Sequence, residues 1–216
     1  MMEDCCSSSG GCWESGFDLS YKLARDQLVK MSDIPAQCRK SGARLVNANE
    51  VSLDYLNEQY RITVPDGQIW LQGSDAEVAL KDKILILHYF TGAKGTPASG
   101  KLIAYKQLLG GVSYFPAFSQ RAIAPLVRNF GKNPDLLVKV AAKVGGHKGD
   151  HGDISVTVSP FPYVPITLVL WTGDEEVAPN GNVLFDASIS DYLSTEDVTV
   201  LCESMIWKLV RNIPSV

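Results

Sequence analysis

The sequence predicts an α+β fold, a mostly antiparallel sheet packed with about four to five helices in a single domain. Segments whose apolar residues recur at helical spacing are interspersed with segments that alternate in twos, and no regular strand-helix-strand repeat orders them. Turn residues such as Pro65-Asp66-Gly67 stand between strand-like runs, as antiparallel neighbours require. Hydrophobic residues make up 45% and charged residues 20% of the 216, a balance that supports a buried core rather than a disordered chain. The domain is expected over residues 17–216.

Residues 1–16 hold Cys5, Cys6 and Cys12, a serine run and several glycines; with so little apolar surface they are expected to form a flexible tail. From Phe17 to about Met31, Leu19, Leu23, Leu28 and Val29 recur at helical spacing. Ser32 to Ser41, with Pro35 and a Lys/Arg cluster, reads as a connection ended by Gly42. Tyr60 to Val64 and Gln68 to Leu71 flank the Pro65-Asp66-Gly67 turn and predict a β-hairpin. Asp75 to Phe90 returns to a helical period and stops before the glycine-rich loop at Thr91 to Gly95. A short strand at Leu102 to Tyr105 follows, then helices at Phe118 to Phe130 and Asn133 to Val144. The second of these opens with an Asn133 cap and Pro134 at the first helical position. Ile154 to Val158 and Ile166 to Trp171 are rich in β-branched residues and predict strands joined by a proline-rich connection; another is expected at Val183 to Asp186. Ser194 caps a last helix running to about Asn212, with Glu196 and Asp197 complementing its positive end.

The net charge of −4 and the scattered basic residues argue against nucleic acid as a partner, because phosphate neutralisation needs clustered Lys and Arg. The N-terminus lacks a basic start followed by an apolar stretch, so no secretory signal is expected. The longest apolar runs, Ile84 to Leu87 and Val164 to Trp171, are too short to cross a bilayer; no membrane partner and a cytoplasmic location are expected. Five unevenly spaced cysteines suit thiols or metal thiolates better than a disulfide framework.

The string Ile84-Leu85-Ile86-Leu87-His88-Tyr89-Phe90 is followed by Gly95-Thr96-Pro97 and Gly100, then Trp171-Thr172-Gly173-Asp174-Glu175-Glu176, Leu184-Phe185-Asp186 and Tyr192-Leu193-Ser194-Thr195-Glu196-Asp197. Over residues 75–209 this order resembles a prokaryotic family known as domain of unknown function 3786. The resemblance implies a place in the metal or corrinoid metabolism of anaerobic bacteria and archaea, since some members carry an iron-sulfur segment of the kind that accompanies corrinoid proteins. Cys5, Cys6 and Cys12 depart from those members, lacking the repeated spacing and fourth ligand of a cluster.

His88 is the first candidate, a neutral imidazole able to serve as axial ligand to a tetrapyrrole metal or as a general base, or else a buried histidine bonded to a carbonyl. Tyr89, Tyr114, Phe118 and Trp171, with Phe90 and Phe115, are candidates to line a cofactor pocket. Asp174, Glu175 and Glu176 follow one strand and Asp186 the next; with Glu196 and Asp197 they could bring carboxylates to one metal or supply a general acid, or serve only as turn and cap residues. Cys5, Cys6 and Cys12, with Cys38, could hold a soft metal, or the tail carries no site. His147, Asp150, His151 and Asp153 offer a ligand set or a solvated loop. Lys94 lacks the spacing of a phosphate-binding loop, and Cys202 reads as a core residue.

The leading expectation is a non-catalytic accessory protein binding a corrinoid, haem or iron-sulfur cofactor or a metal, with a small molecule or a partner protein as its counterpart. A metal-dependent enzyme using the acidic set, and a ligand-free interaction domain, are the alternatives.

Overall fold

The computed structural model describes residues 10–214, with side chains from Gly16 onward. It holds two antiparallel sheets and the helices that pack on them, the α+β class the sequence predicts. The first sheet runs β1 (Arg44–Asn47), β2 (Glu50–Tyr55), β3 (Glu58–Thr63) and β4 (Ile69–Leu71) in chain order. The predicted hairpin is β3–β4, with Ile62 opposite Ile69. Alternation does its expected work there: Tyr60 and Ile62 are buried, and Arg61 between them is not.

The helix α1 (Gly10–Val29) starts before Phe17, so residues 10–16, expected in a flexible tail, form its first turns; Cys5 and Cys6 lie outside the described residues. Its buried positions are Ala24 and Leu28, while Leu19, Leu23 and Val29 are exposed. Next, α2 (Ile34–Ser41) replaces the expected connection. Asp33 accepts a hydrogen bond from the Ala36 amide at 2.8 Å, and Pro35 falls in the first turn, where a missing N–H costs nothing. Gly42 ends α2 at φ 72, and a Cβ there would sit 2.6 Å from Pro162.

The second sheet is built from β5 (Leu102–Ala104), β6 (His147–Gly149), β7 (Ile154–Phe161), β8 (Val164–Trp171) and β9 (Asn180–Asp186), in the order β5-β9-β8-β7-β6. The proline-rich connection expected between β7 and β8 is absorbed into the strands, with a bulge between Val158 and Phe161 that takes up Pro160. Around these sheets lie α3 (Leu80–Gly92), α4 (Gly111–Phe118), α5 (Ala124–Phe130), α6 (Pro134–Lys143) and α7 (Thr195–Arg211). A π-turn, Ser119–Ile123, links α4 to α5 and accommodates a helical run that contains Pro116 and Pro125.

The sheets meet at a small number of residues. Leu56 and Asn57 form the tight β2–β3 turn, both at positive φ (51 and 62), and the buried Leu56 donates its amide to the Pro160 carbonyl of β7 at 2.9 Å. Beside this link the Phe161 ring stacks on Tyr55 of β2 (4.9 Å between centroids) and on Tyr89 of α3 (4.0 Å).

Candidate functional site

On α3, Ile84 to Leu87 and Tyr89 to Phe90 are buried, but the His88 side chain keeps 32% of its surface. Its ring reaches the first turn of α7. There Ser194 and Asp197 form a capping box, the Ser194 Oγ accepting from the Asp197 amide while the Asp197 carboxylate reaches back to Ser194. One carboxylate oxygen, Oδ2, accepts from the Ser194 amide at 3.2 Å and from its hydroxyl at 2.6 Å. The other, Oδ1, lies 2.8 Å from His88 Nδ1. Asp197 is thus held by its own helix start and in turn holds the imidazole.

The electrostatics follow from that contact. The hydrogen bond to Asp197 raises the His88 pKa above its ordinary value; burial opposes this, and the charges of Asp197 and Glu196 add to it. Burial pushes the Asp197 carboxyl up, but the hydrogen bond and charge of His88, with the bonds from Ser194, hold it below the usual carboxylate value. With Nδ1 committed to Asp197, His88 Nε2 has no hydrogen-bond partner among the described residues. When neutral it presents a lone pair, a ligand for a metal or an acceptor for a proton.

Two concavities adjoin the ring. One, of about 150 Å³, is walled by Phe17, Ile84, Leu85 and Val200 with Lys81 at its side. The other, open and about 460 Å³, lies toward Gln27, Lys94 and Asp191, where Lys94 is paired with Asp191 at 2.7 Å. The first is smaller than the range that encloses a drug-sized ligand, so a large ligand would meet His88 at the protein surface.

Most other residues proposed from the sequence do not join this site. Tyr89 and Phe118 are wholly buried; the Tyr89 hydroxyl donates to the Ser41 carbonyl at 2.8 Å. Tyr114 is exposed, and Trp171 borders a separate concavity with Phe115. The aromatic set is therefore divided between core and surface, and His88 alone of the proposed cofactor residues stands at the α3–α7 cleft.

The carboxylates do not converge either. Asp174 caps its own turn, accepting from the Glu176 and Val177 amides at 2.9 and 2.8 Å, and Glu175 is exposed. Asp186 is 4% exposed and accepts from the Ser99 amide and hydroxyl, the Gly100 amide and the Ser188 amide. Burial pushes its carboxyl up, yet those bonds outweigh burial and hold it well below the carboxylate range. It ties the segment before β5 to the turn after β9. Among the described residues no three His, Cys, Asp or Glu side chains gather to hold a metal ion. In the loop after β6, Asp153 accepts from the Thr172 amide and hydroxyl, while His147 and His151 are exposed. Cys38 and Cys202 are buried free thiols, and the Cys12 side chain lies outside the described part.

The sequence offered Asp197 as a helix-start acid and as a member of the carboxylate set, not as the partner of His88. Its partner stands 109 positions away, and local spacing carries no signal for the pair. No helix among the described residues is long and apolar enough to cross a membrane. Neither the curated proteins nor the solved structures include a match to this chain. A family model described as "Domain of unknown function (DUF3786)" matches residues 33–207, a span that takes in His88, Ser194 and Asp197, and the chain belongs to that family.

Proposed function

We propose that this protein is a non-catalytic accessory protein that binds a metal-bearing cofactor of the corrinoid or haem class through His88 Nε2. The observation that carries the reading is the Asp197–His88 contact at 2.8 Å, which fixes the ring and leaves the second nitrogen unengaged. A carboxylate on the far nitrogen of a ligating histidine sets its tautomer and raises its basicity. A single imidazole without neighbouring protein ligands suits a metal whose other positions are filled by the cofactor's own ring, whereas a free hydrolytic metal needs about three protein ligands. The bound metal would supply redox or ligand-exchange chemistry; the chain's residues bind and orient it. Ile84, Leu85 and Val200 offer an apolar wall to the edge of such a ring. The setting in anaerobic metabolism rests on the family resemblance. A cytoplasmic location suits the buried free thiols of Cys38 and Cys202.

Isolation from anaerobic cells, followed by titration with haem and with an aquo-corrinoid, tests the proposal. The expected result is a shifted absorption band on binding that disappears in His88→Ala and weakens in Asp197→Asn. A colourless, metal-free protein that leaves both spectra unchanged would refute it.

A further inference from the structure

A further cavity, of about 210 Å³, lies between the first sheet and α7, at the amino-terminal turn of α3. Its polar centre is Asp82. The Tyr55 hydroxyl donates to Asp82 Oδ1 at 2.8 Å, and the Ser204 hydroxyl donates to the same oxygen at 3.3 Å. Tyr55 and Ser204 are both buried, which makes this a fixed pair of donors that sets the carboxylate plane. Oδ2 receives no hydrogen bond among the described residues, and no Lys, Arg or His lies within ion-pair distance of Asp82. A partly exposed carboxylate with one oxygen unbonded can accept a cationic group on that oxygen.

The same cavity also presents charge of the opposite sign. Lys81 and Arg211 line it, and neither forms a salt bridge among the described residues. The remaining charges cancel locally, Lys208 being paired with Glu58 at 2.6 Å. An anionic group and two cationic groups thus border one space without meeting, and the wall between them includes Trp207 and Tyr60.

We propose that this cavity is a second binding site, taking a small zwitterion of the α-amino-acid class whose ammonium sits on Asp82 Oδ2 and whose carboxylate sits on Arg211 and Lys81. A simple amine would satisfy Asp82 and face two unbalanced cations; a simple carboxylate would leave Asp82 without its cation. The zwitterion meets both requirements. Trp207 and Tyr60 favour an apolar side chain, with room for a cation–π contribution from the ammonium. The inference is independent of the cofactor reading at His88, although Lys81 borders both cavities.

Isothermal titration calorimetry of the full chain against the twenty protein α-amino acids is the test, with isocaproate and isoamylamine as the carboxylate-only and amine-only analogues of leucine. Saturable binding of an apolar amino acid is expected, with each analogue weaker by at least about tenfold, the scale of one lost charge-assisted hydrogen bond. Asp82→Asn should abolish the preference over isocaproate, and Arg211→Gln the preference over isoamylamine. Arg211 is exposed at the end of α7, so its variant remains informative if Asp82→Asn perturbs folding. Absence of heat with all twenty amino acids, or binding that neither substitution changes, would overturn the assignment.

Discussion

His88 joins α3 to α7 through one carboxylate, and its protonation is therefore linked to folding. Its folded value is raised above the ordinary 6.5, chiefly by the Asp197 hydrogen bond. The stabilisation from the charged pair is full below pH 6.5 and is lost as pH rises through the raised folded value. Asp197 acts from the other side: its folded value lies below the ordinary 3.8, so its contribution is present above pH 3.8 and lost as pH falls through the folded value. In an NMR titration of the His88 ring protons, Asp197→Asn should lower the midpoint, because burial alone favours the neutral imidazole. An unchanged midpoint would mean that Asp197 does not set it. Asp186 makes a contrasting case, since its bonds tie the segment before β5 to the turn after β9. Removing its carboxylate in Asp186→Ala should cost about 3 kcal/mol at pH 7 in urea unfolding, the scale of lost charge-assisted hydrogen bonds at a buried site. It should leave the His88 titration unmoved.

At the scale of elements, the cap of α7 holds the helix and the site together. Ser194→Ala should destabilise the protein by about 1 kcal/mol, as loss of an N-cap hydroxyl does. It should also shift the His88 midpoint, because the hydroxyl that fixes Asp197 Oδ2 is gone; a cap with no role at the site would change stability only. This helix was legible because its signals are local: Ser194, the acids of the first turn and one apolar face. The α2 segment was not. Its start is a bare Asp33 cap with proline just inside, and that proline among basic residues reads equally well as a breaker. For α4 and α5 the difficulty was Pro116 and Pro125, which the π-turn accommodates by a change of helical pitch that apolar spacing does not encode. The division of the aromatic candidates has a related cause: hydrophobicity marks Tyr89 and Phe118 as apolar but does not separate a core residue from a pocket wall.

For the whole molecule the question is what makes two sheets one unit, and the residues at their junction supply the answer. Leu56 holds a left-handed backbone that costs a residue with a Cβ about 1 kcal/mol or more. Its burial and the Leu56–Pro160 hydrogen bond offset that cost while pinning the β2–β3 turn to β7. Phe161 completes the junction between Tyr55 and Tyr89, so its removal leaves a space bounded by a sheet, a helix and a fixed turn, none free to collapse into it. Phe161→Ala should therefore cost about 3–5 kcal/mol, the upper range for truncating a core aromatic. Trp70 on β4 and Trp171 on β8 report the two sheets separately when the other tryptophans are replaced by phenylalanine. Their urea transitions should coincide in the parent and move together in Phe161→Ala, because the junction belongs to both sheets. Two separated midpoints in the parent would show instead that the sheets unfold independently and that the Leu56–Pro160 link does not unite them.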